Sequence, residues 1–204
     1  MATGLTVVSR LCDSGTIRKK ADRQSARAGE IDIYEQVNGV TNRANQATLH
    51  TGPGCTFSDP RGQTGSTLVS DCNVANGANG NTGCGVSMTG DANTFGTGLN
   101  NAGGGVFAMQ HESSGVFVWH WSRDSAPAGT KRGDNSAIDV SSWGTPDAAF
   151  GFYQGTCSAD HIDLNQQVRR AQTSLSISDR DGADVALSSG RHEHRFLWLV
   201  CFGV

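Results

Sequence analysis

The sequence predicts an all-β fold of short strands joined by tight turns, and three observations carry that prediction. Glycine accounts for 27 of 204 residues, about twice its usual share. The 3.6-residue apolar spacing of amphipathic helices is scarce. Apolar, β-branched and aromatic residues gather instead in short runs bounded by Gly, Asn, Ser and Pro. The length suits one domain with a real core.

Residues 1–28 are polar, turn basic at Arg18-Lys19-Lys20-Ala21-Asp22-Arg23, and hold no apolar stretch of signal-peptide length. Residues 29–51 read as two strands and a turn. The stretch from Asn73 to Gly83 is rich in Gly, Asn and Thr and reads as a long surface loop. Its Asn-Gly repeats lack the acidic set that calcium requires. Gly103 to Arg123 reads as a β-hairpin with its turn at Glu112-Ser113-Ser114-Gly115. Residues 124–160 are loop-rich, and a strand is expected over 161–168. Phe196 to Val204 is far shorter than the roughly 20 residues of a membrane span and reads as a buried strand.

Net charge is −3, with no basic run of the kind nucleic acid needs; a neutral polysaccharide suits this balance. Six cysteines stand at 12, 55, 72, 84, 157 and 201. None forms a C-x-x-C pair, which argues against a zinc or thioredoxin-type site. Disulfides in an oxidising setting are the better reading, with their pairing open and Cys12 and Cys201 outside the set.

The chemistry centres on Gly29-Glu30-Ile31-Asp32-Ile33-Tyr34-Glu35, which places three carboxylates at spacing E-x-D-x-x-E inside a β-prone run. In a regular strand Glu30 and Asp32 share a face and Glu35 points the other way. One β-bulge between Asp32 and Glu35 would bring all three to a single cleft. A retaining glycosidase needs two carboxyls about 5 to 5.5 Å apart, one as nucleophile and one as acid/base.

The run continues as Gln36-Val37-Asn38, then Asn45-Gln46-Ala47-Thr48-Leu49-His50-Thr51. Further along come Gly83-Cys84-Gly85-Val86, Phe95-Gly96-Thr97-Gly98-Leu99-Asn100, Gly103-Gly104-Gly105-Val106-Phe107-Ala108-Met109 and Val118-Trp119-His120-Trp121-Ser122-Arg123. This ordered series resembles glycoside hydrolase family 16, in its fungal branch of laminarinase-like endo-β-1,3(4)-glucanases. The resemblance implies a jelly-roll, concanavalin-like β-sandwich, with Glu30 as nucleophile, Glu35 as general acid/base and Asp32 as helper carboxylate. It places His50 on the neighbouring strand, within reach of a cleft carboxylate or a sugar hydroxyl. Trp121 is the candidate stacking residue and Trp119 a core residue, although alternation puts both on one face.

The resemblance further implies a monomeric extracellular enzyme acting on β-glucan, with no cofactor, metal, nucleic acid or membrane partner. Two alternatives share the fold: a transglycosylase, and a catalytically dead β-glucan-binding module. The family-like region is 29–168. Residues 1–28 read as disordered or mis-spliced, and 169–204 as a frame-shifted tail. An incomplete sandwich exposes apolar faces and sheet edges, which predicts poor solubility or weak folding and leaves the activity of the fragment open.

Overall fold

The computed structural model describes residues 29–36, 43–59, 61–75, 82–91, 93–130 and 136–162, and the backbone of 184–189 and 195–201. Within them, strands form two antiparallel sheets. The first holds β1 (Glu30–Glu35), β2 (Gln46–His50), β3 (Ser66–Thr67) and β4 (Cys84–Ser87) in the order β1-β2-β4-β3. A short helix, α1 (Gly96–Asn101), then leads to the second sheet. There β5 (Gly105–Glu112), β6 (Gly115–Ser122), β7 (Ala148–Gly151), β8 (Asp184–Ser189) and β9 (Arg195–Cys201) run in the order β7-β6-β5-β9-β8.

Strand alternation sends Ile31, Ile33, Ala47, Leu49 and Val86 to the inner face of the first sheet. Phe107, Met109, Val116, Val118, Ala148 and Phe150 line the inner face of the second, and the two sets merge into one buried cluster. This is the sandwich core, and each large side chain buried in it contributes about 1.5–3 kcal/mol. The second sheet is covered on its other face too. Ala108 and Trp119 pack there against Trp143, with Phe117, Trp121, Ile138 and Val140 around them. The loop-rich segment between β6 and β7 therefore supplies a second layer of core.

The hairpin forms where the sequence places it. Glu112 pairs with Gly115 and Gly105 with Ser122, leaving Ser113-Ser114 as a two-residue turn. In the tail, β9 pairs with β5 on one side and β8 on the other, so Phe196 to Cys201 lie in a strand inside the second sheet.

Three elements differ from expectation. β7 lies within the loop-rich region: Ala148-Ala149-Phe150-Gly151 is short and lacks polar alternation. α1 has two glycines and buries Leu99 alone, so no helical period announces it. The strand expected from residue 161 is replaced at its start by a 3-10 turn, Ala159–His161. There the His161 ring accepts the Ser158 N–H at 3.2 Å, and this local cap outcompetes extended structure. Residues 163–168 lie outside the described residues, as do 1–28 and the Asn-Gly loop over 76–81.

Cys55 is bonded to Cys157 and Cys72 to Cys84. The first bond ties the segment after β2 to the segment after β7, and so links the two sheets. The reading of Cys12 and Cys201 concerns side chains outside those described.

Candidate active site

The bulge is present where the acid spacing requires it. Asp32 pairs with Thr48 and Glu35 with Gln46, so three steps along β1 face two along β2. The extra residue has a packing cause. Ile33 is buried in the core, and Tyr34 also packs against it, with its ring 5.3 Å from Phe107 and 4.9 Å from Phe95. Two successive apolar side chains thus turn inward, which a regular strand forbids. The next residue, Glu35, emerges on the face of Asp32 and Glu30.

Across the ladder, Gln46, Thr48 and His50 oppose Glu35, Asp32 and Glu30, and opposed residues share a face. Their polar atoms meet. Thr48 Oγ1 donates to Glu35 Oε2 at 2.7 Å, and Gln46 Nε2 donates to Thr48 Oγ1 at 2.8 Å. His50 Nε2 lies 3.1 Å from Asp32 Oδ2. Glu30 and Asp32 are half-buried, and Glu35 is the most exposed of the three.

Burial raises the Asp32 carboxyl to about 6, against the lowering effect of the His50 contact, and Glu35 and Glu30 add negative charge that raises it further. Burial alone would lower His50, but its bond to Asp32 and the surrounding carboxylates outweigh that and hold it above its ordinary value. Both shifts favour a proton on this pair. Asp32, Glu35 and His50 offer ligand atoms within 4.8 Å of one another, although two of these atoms are engaged with each other and a third with Thr48. The similar group at Cys55, Cys157 and His161 has its sulfurs committed to a disulfide.

Two glycines leave room for this polar row. Gly83 has φ +62°, and a Cβ there would lie 2.7 Å from His50 Nδ1. At Gly85 a Cβ would lie 2.8 Å from Gln46 Nε2.

Glu30, Asp32, Glu35 and His50 are therefore brought together, and Trp121 is not. Trp121 does share a face with Trp119, but that face is the outer side of the second sheet. Its ring meets Trp143 at 5.3 Å, and it packs against Val106 and Ala126. Val116 and Val118, of opposite parity on β6, face the sandwich core, so the core separates Trp121 from the acids. Trp119 is buried, with Nε1 donating to the Gly144 carbonyl. Sequence reasoning missed Gln46, Thr48 and Asn45 as site residues. For Gln46 and Thr48 the signal was their cross-strand position, which requires the bulged register.

The family model for the XgeA-like, catalytic GH16 domain matches residues 20–173. An endo-1,3(4)-beta-glucanase of Arthroderma benhamiae is 36% identical over 141 residues, covering 69% of this chain and 29% of its own length. A probable glycosidase of Schizosaccharomyces pombe is 38% identical over 141 residues, again 69% of this chain and 32% of its own. Among solved structures, the GH16 laminarinase 16A of Phanerochaete chrysosporium, holding 6-O-glucosyl-laminaritriose in donor and acceptor sites, superposes with TM-score 0.59 at 29% identity. It covers 86% of this chain and 48% of its own. An elongating family 16 β-1,3-glucosyltransferase gives TM-score 0.54 at 27% identity, over 89% of this chain and 48% of its own. This chain thus spans about a third of the length of these curated relatives. With the matched region enclosing the bulged strand and its three carboxylates, the chain belongs to glycoside hydrolase family 16.

Proposed function

We propose that the chain carries the catalytic strand of an endo-β-1,3(4)-glucanase that cleaves β-glucan with retention of anomeric configuration. The observation that carries this reading is the register slip between Asp32 and Glu35, which gives Glu30 and Glu35 one common face. Glu30, ionised, attacks the anomeric carbon while Glu35 protonates the departing glycosidic oxygen. Water, deprotonated by Glu35, then hydrolyses the glycosyl-enzyme ester. Asp32, with a proton shared toward His50, stands between them as a helper that orients Glu30 and moderates the charge of the site. The polar row of Thr48 and Gln46 steadies the Glu35 carboxyl. Two disulfides suit work outside the cell.

Reducing-sugar release from laminarin and from mixed-linkage glucan, beside Glu30→Gln, tests this directly. Turnover abolished by Glu30→Gln supports it; turnover retained in that variant contradicts it. A second reading, transglycosylation, is favoured by the likeness to a family 16 glucosyltransferase, since a sugar hydroxyl can intercept the same ester. Products longer than the substrate would mark that outcome.

A further inference from the structure

A bulge takes backbone polar groups out of the strand ladder, and buried ones need other partners. At this bulge a single side chain serves two of them. Asn45 Nδ2 donates to the Ile33 carbonyl at 2.7 Å, and Asn45 Oδ1 accepts the Glu35 N–H at 3.0 Å. The amide thereby brackets Tyr34 and holds the main chain on both sides of it. A carboxamide presents a donor and an acceptor side by side; an ionised carboxylate offers acceptors alone, and a methyl offers neither.

Asn45 is held in turn by two further segments. It is fully buried, its N–H donates to Thr94 Oγ1 at 2.8 Å, and its carbonyl accepts the Met88 N–H at 2.8 Å. Thr94 precedes α1, and Met88 follows β4, so the clamp is anchored in parts of the fold remote in sequence from β1.

From this geometry we infer that Asn45 is the positioning residue for Glu35. It fixes the bulge through the main chain and so sets where the Glu35 carboxyl stands relative to the scissile oxygen, without touching sugar. Thr48 then holds the tip of the side chain whose root Asn45 holds. The role rests on the reading of Glu35 as acid/base.

The test compares the parent with Asn45→Ala and with Thr94→Val, which removes the acceptor that seats Asn45 and leaves β1 untouched. Glu30→Gln is the control. Two substrates separate the effects: β-glucan, whose leaving oxygen needs a proton, and a dinitrophenyl β-laminaribioside, whose leaving group departs without one. Asn45→Ala should lower kcat/KM on β-glucan by about 100-fold, the scale of a 1 Å misplacement, while kcat/KM on the activated substrate stays near the parent's. Thr94→Val should do the same more weakly, and Glu30→Gln should abolish both. Equal losses on the two substrates would overturn the inference, because simple structural damage does not distinguish leaving groups.

Amide exchange supplies a readout that needs no turnover. The Glu35 amide should exchange about tenfold faster in Asn45→Ala, as for a lost hydrogen bond of ordinary strength, with the Leu49 amide unchanged. An unaltered Glu35 rate would also overturn the inference. If Asn45→Ala does not fold, Thr94→Val carries both readouts. If the parent cleaves neither substrate, the proposed function fails, and exchange alone decides the clamp.

Discussion

His50 reaches past Glu30, its own cross-strand partner, to place Nε2 3.1 Å from Asp32 Oδ2. The pair is largely withdrawn from solvent, with side-chain exposures of 6% and 19%, and this gives stability a defined pH dependence. Asp32 rises from 3.8 to about 6 through burial. The folded chain therefore binds more protons than the unfolded one between about 4 and 6, and this contribution falls as pH rises through that window. His50, held above 6.5 despite its burial, continues the same sign to higher pH. His111 and His120 act oppositely. Burial pushes each down to about 4, so their contribution is lost as pH falls from 6.5 toward 4. Replacing Asp32 removes its own effect and the bond that holds His50 up, and leaves those of His111 and His120 in place. Urea midpoints of Asp32→Asn between pH 4 and 7 should rise with pH more steeply than the parent's; parallel curves would contradict the raised Asp32.

Gly85→Ala should reduce activity while leaving the fold in place. The new methyl would meet the far end of the Gln46 side chain at 2.8 Å, and that end swings aside at little cost. Its displacement removes the bond to Thr48 and loosens the hydroxyl that holds Glu35. A fall in kcat/KM of about tenfold, a partial misplacement, should accompany a nearly unchanged thermal midpoint. Full activity would show that the Gln46–Thr48 link is dispensable.

Trp121→Ala should behave as a packing mutation. It removes contacts with Trp143, Val106 and Ala126, and should cost about 2–3 kcal/mol, below the range for a fully buried Trp because this one is half-exposed. The KM for β-glucan should not move. A raised KM at unaltered stability would return Trp121 to the cleft.

The two disulfides should differ in weight. Cys55–Cys157 closes a separation of 102 residues and Cys72–Cys84 one of 12. Loop-closure entropy gives about 5 and about 3 kcal/mol respectively. Paired Cys→Ser variants, compared by urea unfolding, should show the larger loss for the first pair, and the reverse order would contradict a chain-entropy origin.

Much of the site was legible because its grammar is local. The odd step from Asp32 to Glu35 cannot be accommodated by a period of two, so the spacing itself calls for a bulge, and Ile33-Tyr34 supplies the inward pair that makes one. The β5–β6 hairpin was legible for the same reason, through alternation around a two-residue turn. In the sequence Asn45 is one residue of the run from Asn45 to Thr51 and nothing local singles it out. Its role depends on Thr94 and Met88, 49 and 43 residues away, and no local pattern reports that. Trp121 was misplaced because parity says which residues share a face and not which face looks onto the acids. The exposed side of the second sheet became a second core once Trp143 and Val140 covered it.

The account stands on Glu30 and Glu35 acting from one face of β1 on one glycosidic bond. Proton NMR of the anomeric signals during the first minutes of β-glucan cleavage tests this most directly. The account predicts that the β-anomer of the new reducing end appears first and the α-anomer grows in later by mutarotation. An α-anomer formed first would contradict it.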